Sequence, residues 1–346
     1  MSIKKVCLEL TDACNLNCTM CYRHSWHEQT QHMPKLMVET ILNQIEGIES
    51  IEEIVVGGIG EPSIHPQIIE VLKRLKPYKV SLTTNGVSLT APIREAIVEH
   101  VDQLVISIDG LAQNFYEIRG IHLETVLEQV RLINELKKSK LNDSLQLIFQ
   151  MVLSETNKED VFGIIDLASK YGVSQLIISN ILPVSLEDSA LCLYALETNA
   201  YMNAYYNQIR TYAIGRGLAV RLSENRLKTE RRCRFVDNDT LVINARGDIA
   251  PCYRFAHSGT EVVFGRLKTI QAHTFGNVLE AGLEKIWHSK AYTDYRHMVY
   301  NNHYPSCTDC DLVDGCDMVN DTYGDCYGNA PSCGDCLWVR NLVYCI

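Results

Sequence analysis

The sequence predicts an α/β chain: a run of parallel β/α units followed by a cysteine-rich tail. Short apolar runs alternate with helical stretches six times between residues 6 and 179, the rhythm of parallel strands with crossover helices. Glycine-rich and polar segments follow the C-terminal ends of those runs, where barrels keep their functional groups. Cysteines gather at both ends of the chain.

Residues 6–10 form an apolar run bounded by Thr11 and Asp12, read as a buried strand. The loop behind it carries Cys14, Cys18 and Cys21 in the spacing C-x3-C-x2-C. Thiolates hold iron–sulfur clusters, and three thiolates leave one iron of a four-iron cubane without a protein ligand. A zinc knuckle or a structural thiol loop is the alternative, although zinc sites favour four closed ligands in paired C-x2-C spacings. Residues 33–48 have helical spacing, entered by Pro34. Residues 51–56 read as the second strand, ending in Gly57, Gly58, Ile59, Gly60, Glu61 and Pro62. Glycines at a strand end let the backbone approach a ligand closely; a tight turn is the plainer reading. His65 and Pro66 open the next helix.

The third strand, residues 79–84, closes on Thr84, Asn85 and Gly86. The fourth, residues 103–108, puts Ser107 and Asp109 on one face by alternation. Both would point into the mouth of a barrel, though an ordinary Asp-Gly turn also accounts for them. An amphipathic helix over 123–138 leads to strand five, residues 145–153, with Gln150 toward its end. A further helix runs to Tyr171, and strand six spans 175–179. Residues 186–215 read as one long helical stretch leaving the barrel, its tyrosines taken as packing groups.

In the tail, residues 240–244 and 249–252 read as a hairpin across the turn 246–248. Cys233, Gly247 and Cys252 form C-x13-G-x4-C, and Cys307, Cys310 and Cys316 form C-x2-C-x5-C. Cys326, Cys333, Cys336 and Cys345 follow. Cys7 and Cys192 read as inert core thiols, so twelve of the fourteen cysteines are candidate ligands. The nine tail thiols exceed the eight places of two fully ligated cubanes. One grouping joins Cys233, Cys252 and Cys326 with Cys333 or Cys336, and Cys307, Cys310 and Cys316 with Cys336 or Cys345. A zinc ribbon is the alternative for the C-x2-C pairs.

A net charge of −10 without a basic run argues against nucleic acid as a partner. No segment approaches the ~18 apolar residues of a membrane span, and no signal peptide precedes the first strand. A cytoplasmic protein is therefore expected, where clustered cysteines read as metal ligands rather than disulfides. Three regions are expected: a barrel over 1–185, a helical bridge over 186–230 and a metal-binding domain over 231–346.

The three-thiol loop resembles the signature of the radical S-adenosylmethionine (SAM) enzymes. The resemblance implies a partial (β/α)6 TIM-like barrel holding one [4Fe-4S] cluster, with SAM bound at its open iron and cleaved to methionine and a 5′-deoxyadenosyl radical. It implies that Gly58, Gly60, Glu61 and Pro62 form the element that contacts the SAM amino group, with Ile59 inserted into the usual Gly-Gly-Glu-Pro. Thr84, Asn85, Ser107, Asp109 and Gln150 are then cofactor-site residues, and Arg119 a candidate for the SAM carboxylate. The tail spacings resemble the SPASM domain, which implies two auxiliary [4Fe-4S] clusters on Cys233, Cys252, Cys307, Cys310, Cys316, Cys326, Cys333, Cys336 and Cys345. Residues 21–26 and 325–338 are similar to maturases associated with tungsten-cofactor oxidoreductases. That implies a protein or peptide substrate and a reductant such as ferredoxin or flavodoxin. A peptide-modifying enzyme is the second expectation, and a non-catalytic iron–sulfur electron-transfer protein the third. Tyr253 follows Cys252 where sulfatase-maturing relatives carry an acid, so formylglycine formation is the less expected outcome, with Asp248 as an alternative base; no catalytic acid or base is assigned.

Overall fold

The structure is a computed structural model that describes residues 2–344; Cys345 lies outside them. Strands β1 (Lys5–Leu8), β2 (Glu53–Val56), β3 (Lys79–Thr84), β4 (Gln103–Ser107), β5 (Gln146–Leu153) and β6 (Gln175–Asn180) pair in parallel, each beside the last. Helices α1 (Lys35–Glu46), α2 (Ile68–Leu75), α3 (Ala91–His100), α4 (Ala112–Arg119), α5 (Leu123–Ser139) and α6 (Val161–Lys170) connect them. Alternation along the strands sets two layers. Val6, Ile54, Leu82, Leu104, Phe149 and Leu176 face the helices in the main core. Cys7 and Val55 face inward, as do Val105, Ile148 and Ile177. Both faces are apolar because both are covered, as parallel sheets require.

Two strands depart from the expected pattern. The stretch read as a helical bridge starts with a 3-10 turn, Glu187–Leu191, and its helix α7 spans only Ala200–Gly215. Asn199 starts that helix, its side chain accepting from the Met202 N–H at 3.2 Å. Behind it β7 (Ala219–Leu222) adds to β6 in parallel. After the short helix α8 (Arg234–Asp237), the foreseen hairpin is present as β8 (Thr240–Ile243) and β9 (Ile249–Ala250). But β8 also pairs in parallel with the free edge of β1, Lys5 opposite Thr240 and Leu8 opposite Ile243. All four residues of β8 are buried; Leu241 and Ile243 join the helix-side core and Val242 the interior. The sheet therefore reads β7-β6-β5-β4-β3-β2-β1-β8-β9.

The rest of the tail holds a second hairpin, β10 (Gly259–Val263) and β11 (Arg266–Ile270), and helices α9 (Leu283–Trp287) and α10 (Lys290–Tyr300). The last described segment returns to the barrel. Asn180 Nδ2 donates to the Leu342 carbonyl and Ser179 Oγ accepts from the Tyr344 N–H, at 2.8 and 2.9 Å. The Tyr344 ring packs on Val105, Ile148 and Ile177 inside the sheet. Arg221 and Arg234 stand 3.6 and 4.0 Å from its centre. No helix among the described residues is long and apolar enough to cross a membrane.

Candidate active site

The three thiols of the first loop face a cavity at the C-terminal ends of the strands. Arg23 and His24 hold the loop's shape, donating to the Leu16 and Cys18 carbonyls at 2.9 and 2.8 Å. Asp12 anchors its start, accepting from the Gln31 N–H at 2.5 Å and from Arg246 Nη1 at 2.8 Å. The Leu16 N–H points at Cys14 Sγ at 3.4 Å. Asn85 Nδ2 lies 3.7 Å from the same sulfur and donates to Asn15 Oδ1 at 2.8 Å. Burial pushes the Cys14 thiol up and Cys18 up to about 11, with Arg119 pulling Cys18 the other way. Such thiols stay protonated until a metal takes the proton's place.

Gly58, Gly60, Glu61, Thr84 and Asn85 line the same cavity, as do Ser107, Arg119 and Gln150. A Cβ on Gly60 would stand 2.1 Å from the Thr11 carbonyl, so only glycine lets the β2 loop lie against the thiol loop. Glu61 stitches β2 to β3. Its Oε1 accepts from the Thr84 hydroxyl at 2.7 Å and the Ser63 N–H at 3.0 Å, and its Oε2 from the Asn85 N–H at 2.6 Å.

Two expected residues are not among the walls. Pro62 turns away into a 3-10 turn, Pro62–Ile64. Asp109 is fully buried, and neither of its carboxylate oxygens is left for a ribose or a carboxylate. One accepts from the Val152 N–H at 2.7 Å; the other takes Nε of Arg119 at 2.7 Å together with its Nη2. The alternation that put Asp109 beside Ser107 ends with β4 at Ser107, so the aspartate acts behind the wall, aiming Arg119.

Sequence reasoning missed Glu9. It is buried at the end of β1 and accepts from the Ile59 N–H at 3.1 Å, His257 Nε2 at 2.7 Å and the Ala245 N–H at 3.3 Å. His257 stacks on Trp26 at 4.0 Å. Glu9 thus joins the thiol loop, the glycine loop and the tail; its position in an apolar run was the available signal.

In the tail, Cys233, Cys252, Cys333 and Cys336 line one cavity, with Cys7 of β1 in its wall. The Tyr295 hydroxyl lies 3.3 Å from Cys333 Sγ. This corrects the expected grouping: Cys326 is exposed, away from this cavity, and Cys333 and Cys336 both belong to it. Cys307 is buried, Cys316 half-buried and Cys310 exposed, and none of the three lines the inner cavity. Gly334, between Cys333 and Cys336, packs on Cys307. The Cys307 N–H donates to the Gly334 carbonyl at 2.8 Å, and a Cβ there would stand 2.5 Å from Cys307 Sγ. Cys336, two residues on, lines the inner cavity.

Beside the inner thiols four charged side chains are buried with almost no water contact. Arg254 Nε faces both Glu261 oxygens at 3.1 and 3.2 Å, and its Nη2 reaches Asp335 at 3.4 Å. Lys268 Nζ donates to Asp335 at 3.0 Å and to the Val319 carbonyl at 3.1 Å. Ionised, the four sum to zero, which is what lets them stay buried. Among the described residues no three His, Cys, Asp or Glu side chains converge as the ligands of one metal ion do. The thiols stand apart around cavities instead.

The model of the radical SAM superfamily matches residues 8–181, and that of SPASM, an iron–sulfur cluster-binding domain, matches residues 233–311. The chain belongs to the radical SAM superfamily. A relative from Pyrococcus furiosus, a tungsten-containing aldehyde ferredoxin oxidoreductase cofactor-modifying protein, is 34% identical, covering 99% of this chain and 97% of the relative. A probable GTP 3′,8-cyclase of Pyrococcus abyssi is 32% identical over 53% of this chain and 58% of its own. Among solved structures, Streptococcus suis SuiB bound to its precursor peptide SuiA superimposes with a TM-score of 0.65 at 16% identity, covering 97% of this chain and 76% of that one. Native anSMEcpe with bound AdoMet gives 0.60 at 15%, covering 98% and 93%. At those identities the likeness concerns the fold alone.

As a radical SAM enzyme with a SPASM domain, the chain takes SAM and iron–sulfur clusters. Its residues fit them. Three free thiols on one tight loop face the cavity, and the glycine loop beside them has no side chain at its two closest approaches.

Proposed function

We propose that this radical SAM enzyme matures a tungsten-dependent oxidoreductase, acting on that protein or its cofactor. The observation that carries the reading is the match along nearly the whole chain, tail included, to a protein named for modifying such a cofactor. Cys14, Cys18 and Cys21 would hold the barrel cluster. Cys233, Cys252, Cys333 and Cys336 would hold one auxiliary cluster, and Cys307, Cys310, Cys316 and Cys326 a second. When bound, the reduced barrel cluster and SAM supply a 5′-deoxyadenosyl radical that abstracts a hydrogen atom from the substrate.

The protein's own part is positioning. Glu61 fixes the mouth by tying β2 to β3, and Arg119, aimed by Asp109, presents a cation to a ligand carboxylate. Gly58 and Gly60 bring backbone groups close, and Ser107 and Gln150 offer hydrogen bonds from the barrel wall. Tyr253 lines the same cavity from the tail, so a substrate held there would lie between barrel and tail. A ferredoxin or flavodoxin would supply electrons in the cytoplasm.

The test is co-expression. With the tungsten enzyme as partner, its activity should require this chain with an intact thiol loop. Equal activity of the oxidoreductase with and without this chain would sink the reading. Modification of a ribosomal peptide is the second reading, favoured by that tail-to-barrel cleft. It predicts a mass change in a peptide encoded nearby, coupled to 5′-deoxyadenosine release.

A further inference from the structure

Glu9 follows β1 between two buried leucines, Leu8 and Leu10, and is itself buried. A buried carboxylate is costly unless its oxygens are partnered, and the partners of this one come from two separate parts of the chain. Oε1 accepts from the Ile59 N–H at 3.1 Å. Oε2 accepts from His257 Nε2 at 2.7 Å and from the Ala245 N–H at 3.3 Å. The first contact lies in the glycine loop of the barrel mouth, the other two in the tail.

The glycine loop rests on this side chain. A Cβ on Gly58 would stand 2.6 Å from Glu9 Oε1 and 2.9 Å from Glu9 Cβ, and Gly58 has a φ of +110°. Ile59, between the two glycines, has its N–H held by the carboxylate. Gly58, Ile59 and Gly60 all line the barrel-mouth cavity; Glu9 and His257 are not among its walls, so the pair works from behind them. His257 is fixed in turn. Its ring is buried and stacks on Trp26, with the ring centres 4.0 Å apart. Its Nδ1 has no hydrogen-bond partner among the described residues, and the Glu28 carboxylate lies 4.0 Å away. The contact with Glu9 is thus the one hydrogen bond that orients the ring among the described residues.

We propose that Glu9 and His257 are positioning residues for SAM: the tail histidine fixes the Glu9 carboxylate, and the carboxylate fixes the backbone of residues 58–60 at the cofactor site. The inference rests on the reading above that Gly58 and Gly60 meet SAM. Ordering a loose loop on binding costs affinity, so a loop already set in place binds more tightly. A side chain of the tail thereby governs the affinity of a site built in the barrel.

The experiment uses the full chain, reconstituted anaerobically with iron and sulfide. Equilibrium dialysis with radiolabelled SAM gives the affinity, beside iron and sulfide content. His257→Phe keeps a ring on Trp26 and removes the donor; it should raise the SAM dissociation constant about tenfold at unchanged iron content. His257→Gln gives up the ring but keeps an N–H donor, and it should recover most of that loss. A packing role alone predicts the reverse order, with His257→Phe the milder change. Parent affinity in His257→Phe at full iron content, or that reverse order, overturns the proposal. If His257→Phe loses iron, amide hydrogen exchange is compared in the iron-free parent and the iron-free variant. Residues 57–61 should exchange faster in the variant while residues 79–84 exchange as in the parent; equal exchange at 57–61 overturns the proposal. In the loaded parent, SAM should slow exchange at 57–61. If it does not, the reading of the cofactor site has failed, and the proposal falls with it even where Glu9 does hold the loop.

Discussion

The barrel mouth and the tail both present thiols, yet they are held in different ways. At the mouth, the thiols and their neighbours stand on loops at the ends of strands whose order and register the sheet dictates. Few polar groups are needed beyond local ones such as Glu61 and the Arg119–Asp109 pair. In the tail, long loops bring distant thiols together, and four buried charges from β10, β11 and the loops beside them hold those loops in place. A site on a periodic scaffold depends on the chain's geometry; a site on loops depends on each specific contact. Substitutions should therefore separate catalysis from integrity at the mouth and merge them in the tail.

The largest effect expected is at the thiols. Cys18→Ala should abolish 5′-deoxyadenosine formation while the tail keeps its iron. Cys336→Ala should keep SAM cleavage, lose about one cluster's iron and lose the coupled product. Chromatography of the nucleoside beside iron analysis checks both, and full nucleoside release by Cys18→Ala would undo the contrast.

Next come the buried charges. Arg119→Met leaves Asp109 charged and unpaired, a loss of about 3–5 kcal/mol in denaturant unfolding. Arg254→Met should cost a similar amount. Lys268→Met should cost less, because Asp335 keeps Arg254 at 3.4 Å. Equal losses for Arg254→Met and Lys268→Met would show that the four charges do not act as a graded network.

Gly334→Ala forces a methyl group against Cys307 Sγ and should cost about 1–3 kcal/mol, with partial loss of iron from the outer thiols. Gly265→Ala, where no atom lies within 4 Å, tests backbone strain alone at its φ of +81°. If both lose the same iron, crowding at Cys307 is not the cause.

The smallest effect is a pH slope. His65 is buried, its Nε2 donating to the Met33 carbonyl at 3.0 Å and its Nδ1 accepting from the Gln67 N–H at 3.2 Å. Burial holds its pKa below the ordinary histidine value, so the fold favours the neutral ring. That contribution is full above the unfolded pKa of about 6.5 and is lost as pH falls through the folded value. Melting temperature should decline more steeply with falling pH in the parent than in His65→Gln; parallel slopes would remove His65 from the account.

Much of the barrel was legible because alternation and helical spacing repeat. Residues 79–84 were read as a strand and form one, and the motif residues at the strand ends do share a cavity. Asp109 misled because an aspartate past a strand end looks like a ligand whether it faces the cavity or a buried arginine. β7 escaped because four residues, alternately exposed and half-buried, carry little pattern. The tail thiols were legible as a cysteine-rich cluster but not as sets: spacing along the chain does not say that Cys333 and Cys336 line one cavity with Cys233 and Cys252. The buried quartet was invisible for a related reason. Isolated charges on a polar tail look solvated until the fold pairs them.

The position of β8 beside β1 has a consequence for how the molecule is made. Strands β1 to β7 can assemble in the order in which they leave the ribosome, each on its predecessor. The other flank of β1 stays bare until residues 240–243 emerge, and an unpaired edge is a template for foreign strands. Contacts so distant along the chain also form late. The half that carries the first three thiols is thus completed by the half made last, and a shortened chain would leave the ribosome with its first strand open to aggregation.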